Sequence, residues 1–152
     1  APAPARVATG PVGVRWADAA KRGDRPVMEA LIAEGGDELV HSKARGIGHT
    51  ALHWAAAGGD VKLMDWLLSK GAEVDARNSC DATPLHSAAS NGQAFALGFL
   101  LERGADARAR NDDGATPAEL AARKNRPDLA GQLEAHVKAA ADEAGGEEGE
   151  AA

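Results

Sequence analysis

A chain of 152 residues has room for one compact domain or a short solenoid, and not for two ordinary domains with separate cores. Apolar residues reach 44% while aromatics stop at 3%, so any core is built from small side chains, which suits closely packed helices. A net charge of −6 and the lack of any run of 18 apolar residues argue against phosphate-seeking and membrane-inserted classes.

That charge is unevenly placed. Asp142, Glu143, Glu147, Glu148 and Glu150 lie in an Ala- and Gly-rich tail; of the 23 acidic residues this leaves 18 in residues 1–138, against 17 basic ones. The folded part has no net positive field, so a nucleic-acid partner is not expected. Cys80 is the single cysteine, which forbids an internal disulfide and fits a reducing, intracellular setting, cytoplasmic first. Because the chain begins at Ala1 and not at Met, a chloroplast or mitochondrial location after loss of a transit segment stays open.

In chain order, residues 1–13 read as a flexible lead-in, 14–138 as the folded region, and 139–152 as a disordered acidic tail that serves solubility. In the first unit, 14–45, Trp16–Gly23 and Val27–Ile32 read as two short helices with Trp16 in their core. The second unit, 46–78, starts a helix at Thr50, whose hydroxyl suits open amides. It then sets Leu63, Met64, Leu67 and Leu68 along one stripe of a second helix closed by Gly71. The third, 79–111, has Pro84 at the first helical position, where a missing N–H costs nothing, and stops near Asn91-Gly92. The fourth, 112–138, holds Ala118–Arg123 and Leu129–His136.

These units repeat. Thr50-Ala51-Leu52-His53 recurs as Thr83-Pro84-Leu85-His86 and again as Thr116-Pro117-Ala118-Glu119, 33 residues apart each time. In the same register Gly59 matches Gly92, Leu67-Leu68 matches Leu100-Leu101, and Asn78 matches Asn111. The first unit is out of step, since Gly23 to Gly59 spans 36 residues; three extra residues must bulge within Gly35–His49 and lengthen the first loop. Two short helices cannot cover their own apolar stripe, and stacking on neighbours buries it.

The motifs Thr50-Ala51-Leu52-His53-Trp54-Ala55-Ala56 and Thr83-Pro84-Leu85-His86-Ser87-Ala88-Ala89, at this period, resemble the ankyrin repeat family. The match is close over 46–111 and degenerate at both flanks, covering about 15–136 of the chain. The resemblance implies an all-α ankyrin-repeat solenoid of about four stacked helix-turn-helix units with projecting fingers, 14–45 and 112–138 being cap repeats. Glu119 in place of His and Asn125 in place of Gly are departures at the last cap. It further implies structural roles for His53 and His86, which tie one finger to the next, alongside Thr50, Thr83, Gly59 and Gly92.

Catalysis is not expected. Stacked units set His53 and His86 about 10 Å apart, too far to share a metal. No carboxylate and nucleophile complete a triad with them. No phosphate loop, zinc spacing, nucleophile elbow or calcium loop occurs, so no catalytic, cofactor or metal residue is assigned.

By position, the resemblance puts partner contacts on finger tips and on the outward side of each first helix. These are Arg45, Ile47 and His49; Arg77 and Ser79, with Cys80 and Ala82; and Arg110, Asp112 and Asp113, with Ala115. The helices add Lys21 and Arg22; Trp54, Ala57 and Gly58; Ser87, Ser90 and Asn91; and Arg123 and Lys124. Arg45, Arg77 and Arg110 suggest a basic ridge that would take an extended acidic segment, since arginine forks grip carboxylates. Solvated arginines are the plainer reading. Trp54 is either a binding anchor or packing for the long first finger, and Trp66 with Phe99 is either an outer apolar stripe or inter-repeat filling. The expected function is a non-enzymatic adaptor that binds another protein on its concave face. The alternative is a permanent structural subunit of a larger multiprotein assembly.

Overall fold

The computed structural model describes residues 10–150, with side chains through 145. Eight helices form four pairs: α1 Pro11–Arg22 with α2 Arg25–Gly35, α3 Ala51–Gly58 with α4 Val61–Ser69, α5 Pro84–Ser90 with α6 Ala94–Glu102, and α7 Pro117–Arg123 with α8 Pro127–Glu150. No β-strand forms among the described residues.

Local chemistry sets the helix ends. Thr50, Thr83 and Thr116 are the N-caps of α3, α5 and α7, each in a reciprocal capping box with the residue three places on. In the first two that residue is His; in the third Glu119 does the same work, its carboxylate accepting from the Thr116 N–H at 3.2 Å. The second helices α2 and α4 are capped by Asp24 and Asp60, whose carboxylates accept from Val27 and Leu63 amides at 3.3 and 3.0 Å. Gly59 and Gly92, at φ 74° and 71°, turn the chain out of α3 and α5.

Alanine decides how the units stack. Ala19 and Ala20, Ala55 and Ala56, Ala88 and Ala89, and Ala121 are all buried on the first helices. Without bulk between them, α1, α3, α5 and α7 lie in close succession, whereas α4 and α6 touch at few points. Met28, Leu31, Leu63, Met64, Leu67, Leu97, Leu100, Leu129 and Leu133, all buried, project from the second helices and fill the space between the two layers. Each such side chain stabilises the stack by about 2 kcal/mol. Tight spacing in one layer and wide spacing in the other bends the stack into an arc with the first helices and the fingers on its concave side.

The three extra residues of the first unit fall where the 36-residue spacing locates them. Gly36 ends α2 and a 3-10 turn, Asp37–His41, follows, burying Leu39 and Val40 under the long first finger.

Both ends differ from expectation. Helix α1 begins at Pro11, inside the segment read as a flexible lead-in of residues 1–13; residues 1–9 lie outside the described residues. Helix α8 continues through Glu150, where a disordered tail over 139–152 was expected. Ala and Glu are strong helix formers, and extending a helix already nucleated on a packed stripe avoids the cost of starting one. Residues 138–145 stand exposed on that extension, and 151–152 lie outside the described residues.

Candidate functional site

The fingers are held by the two histidines. His53 is fully buried; its Nδ1 accepts from the Thr50 N–H at 3.2 Å and its Nε2 lies 2.8 Å from the Ala82 carbonyl of the next finger. His86 repeats this with Thr83 at 3.1 Å and Ala115 at 2.9 Å. A carbonyl can only accept, so Nε2 carries the proton in both rings and Nδ1 is bare. Burial lowers the pKa of His53 to about 3, with His49, Lys43 and His86 adding repulsion and the Ala82 carbonyl opposing. Burial lowers that of His86 as well. Both imidazoles are neutral struts.

Finger tips are laced directly to one another. The Ser79 N–H donates to the Ile47 carbonyl at 2.9 Å, and 33 residues on the Asp112 N–H donates to the Cys80 carbonyl at 2.9 Å. Asn78 braces its turn by accepting from the Cys80 and Ala82 amides at 2.9 and 3.0 Å, and Asn111 does so for Asp113 and Ala115. Gly48 sits at φ 69° with the Ser79 backbone nitrogen 3.0 Å from where a Cβ would stand, so no side chain fits.

The basic ridge does not form as an even row. Arg77 donates from Nη1 to the carbonyls of Asp81 and Arg110, both at 2.6 Å, and is half-buried. Arg110 donates to the Gly114 carbonyl at 2.6 Å and lies 3.9 Å from Glu119. Both guanidinium groups bind the fingers' own backbone. Arg45 is exposed at the first tip, in the register of Asn78 and Asn111, one residue past the Arg77 position. The remaining candidates scatter. His49 is a packing residue, stacked on His53 at 4.9 Å, edge-on to Trp54 at 4.6 Å, and bonded through Nδ1 to the Asn78 amide at 3.1 Å. Ser87 is buried, and Asn91 donates to its carbonyl at 2.8 Å. Ser90 is half-buried; Ile47, Ser79, Asp112, Asp113, Arg123, Lys124, Lys21 and Arg22 are exposed.

One concave groove gathers several of these. Val14, Ala17, Asp18 and Lys21 of α1, Ala44 and Arg45 of the first finger, and Trp54 of α3 line a hollow of about 230 Å³. Lys21 Nζ lies 5.6 Å from the centre of the Trp54 ring, a cation-over-π position. Trp54 does pack on the first finger, through His49, while its remaining surface opens to the groove. Its indole N–H is shut off from water and has no acceptor among the described residues. Val14, Ala17, Asp18 and Ala44 escaped the sequence reading, which carried over only Lys21 and Arg22 on α1 and Arg45, Ile47 and His49 on the first finger.

Trp66 is covered: it stands 9% exposed against Trp16, centroids 6.5 Å apart, with the Arg25 guanidinium 5.3 Å from its ring centre. With Trp66 filling the space between repeats, a Trp66–Phe99 outer stripe does not form. Two further inter-repeat bonds escaped the sequence reading: Gln93 Nε2 donates to the Ala57 carbonyl at 3.0 Å, and Arg126 Nη2, 33 residues later, to the Gly92 carbonyl at 3.2 Å.

Among the described residues no group of His, Cys, Asp and Glu is placed to hold a metal ion, and no helix is long and apolar enough to cross a membrane. The fold is that of a helical-repeat solenoid whose fingers and first helices line one concave side. A profile of three successive ankyrin repeats matches residues 16–111 and, in a second alignment, 75–142, and the chain belongs to the ankyrin repeat family. Ankyrin repeats are generally protein–protein interaction modules and typically not enzymes.

Proposed function

We propose that this protein is a non-enzymatic adaptor that binds another protein on its concave face, anchored in the groove at Trp54. The groove itself carries the reading. It offers a part-exposed aromatic surface and an aliphatic side chain, Val14, beside two cations, Lys21 and Arg45, with Ile47 45% exposed nearby. That combination suits an extended segment with one apolar side chain to bury and a carboxylate next to it. The acidic partner segment thus finds its support at the N-terminal end of the arc, where Lys21 and Arg45 line the groove.

Affinity purification followed by mass spectrometry, run in parallel on the native chain and on the double variant Lys21→Glu, Arg45→Glu, tests this. Both residues are exposed, so the circular dichroism spectrum is expected to stay unchanged while the recovered partners fall at least tenfold. Equal recovery of the same partners by both proteins removes the groove from the account.

A further inference from the structure

The outer side of the arc carries a feature that the concave face does not use. Phe95 is 88% exposed, against 45% for Val14 and Ile47, the other exposed large apolar side chains among the described residues. Phe95, Gly98, Phe99 and Glu102 fall at i, i+3, i+4 and i+7 of α6 and therefore share one face of that helix. They border a shallow trough of about 560 Å³ that Val61 of α4 and Gln132 of α8 help to line. At its centre a Cβ on Gly98 would meet only Gln132, at 3.8 Å, an ordinary contact. Nothing among the described residues requires glycine there, and glycine weakens a helix.

A projecting ring and a notch three residues further along the same helix are complementary to each other. Such a surface closes on itself about a two-fold axis, in which residue i meets j and j meets i. We infer that two copies of this chain associate through antiparallel α6 helices crossing at Gly98, each Phe95 entering the other copy's trough beside Phe99. The missing side chain at Gly98 lets the two backbones approach. Charge agrees with this orientation: an antiparallel crossing carries the exposed Glu102 of one α6 toward the other copy's α6 N-terminus. The exposed Lys62 of α4 stands there, one repeat before Phe95. A contact made by one helix face is smaller than a standard interface, so the dimer is weak, with a dissociation constant on the order of 10⁻⁴ to 10⁻³ M.

Sedimentation equilibrium from ~10 µM to ~1 mM reads this directly. The native chain is expected to rise from 15.5 kDa toward twice that mass as concentration increases. Phe95→Glu, which removes the ring, and Gly98→Leu, which fills the notch, are each expected to hold at the single-chain mass, with unchanged helical circular dichroism. A native chain that stays at one mass across the range overturns the inference and leaves the trough to some other occupant. A Phe95→Glu chain that associates like the native one overturns it too, and a Gly98→Leu chain that does so overturns the crossing at Gly98. The concave groove is untouched by either substitution, so partner capture through Trp54 is expected to survive both, and the two ideas fail separately.

Discussion

His53 and Ala82 are 29 residues apart in sequence, yet the imidazole Nε2 of the first lies 2.8 Å from the carbonyl of the second. The same ring holds the start of its own helix through Thr50. One side chain thus joins a helix cap to the next finger. Replacing it, as His53→Ala, empties a fully buried site and orphans both the Thr50 amide and the Ala82 carbonyl, an expected loss of about 2–4 kcal/mol in urea unfolding. A change below about 0.5 kcal/mol would mean that the strut carries nothing.

Protonation attacks the same strut. The unfolded chain binds a proton at the ordinary histidine value of 6.5, and folded His53 resists until about 3. The unfolded state therefore takes up the proton first, so stability is full above pH 6.5 and declines as pH falls toward 3. Each pH unit in that window costs about 1.4 kcal/mol per such imidazole, or about 2 kcal/mol from His53 by pH 5, with His86 and His49 shifted in the same direction. Urea midpoints at pH 7 and pH 5 measure it, and a His53→Gln variant is expected to show the shallower dependence. A midpoint that does not move between those pH values contradicts the linkage.

Asp81 occupies a left-handed backbone conformation, φ 58°, at the position where the neighbouring fingers have Gly48 and Gly114. Asp81→Gly relieves that strain and leaves the carbonyl that Arg77 grips in place. An increase in stability of about 0.5–1 kcal/mol is expected, read as a rise in melting temperature. A lower melting temperature would show that the aspartate side chain holds the turn.

Arg77 is expected to act on stability and not on recognition. Arg77→Ala frees the carbonyls of Asp81 and Arg110, loosening two adjacent fingers at once. Amide hydrogen exchange in residues 78–82 and 111–115 is expected to quicken, with about 1 kcal/mol lost overall. Unaltered exchange in the third finger would sever the proposed link between them.

How much of this was legible depended on register. The 33-residue recurrence from Thr50 to Thr116 located the starts of the first helices α3, α5 and α7, because Thr and Pro each have a physical use at a helix start; the Asp60 cap of α4 was not read. The arginine row was over-read: Arg45 stands five residues before Thr50, whereas Arg77 and Arg110 stand six before Thr83 and Thr116, so Arg45 is one place out of the row. Phe95 escaped notice for a different reason. Helix α6 reads Ala94-Phe95-Ala96-Leu97-Gly98-Phe99-Leu100-Leu101, apolar on every side, so periodicity cannot say which residue faces water. The helical run past residue 138 has no apolar stripe and was read from composition, which describes the energetics of an isolated tail and not of one grown from an anchored helix.

The unequal spacing of the two layers has a mechanical meaning. Alanines clamp α1, α3, α5 and α7 into a stiff spine, while the second helices meet their neighbours sparsely. Such a body is expected to flex, where it flexes, at the seams between the second helices and not along the first-helix spine. A ligand whose contour departs from the resting arc can be matched by flexing those seams, without parting the helices that line the groove.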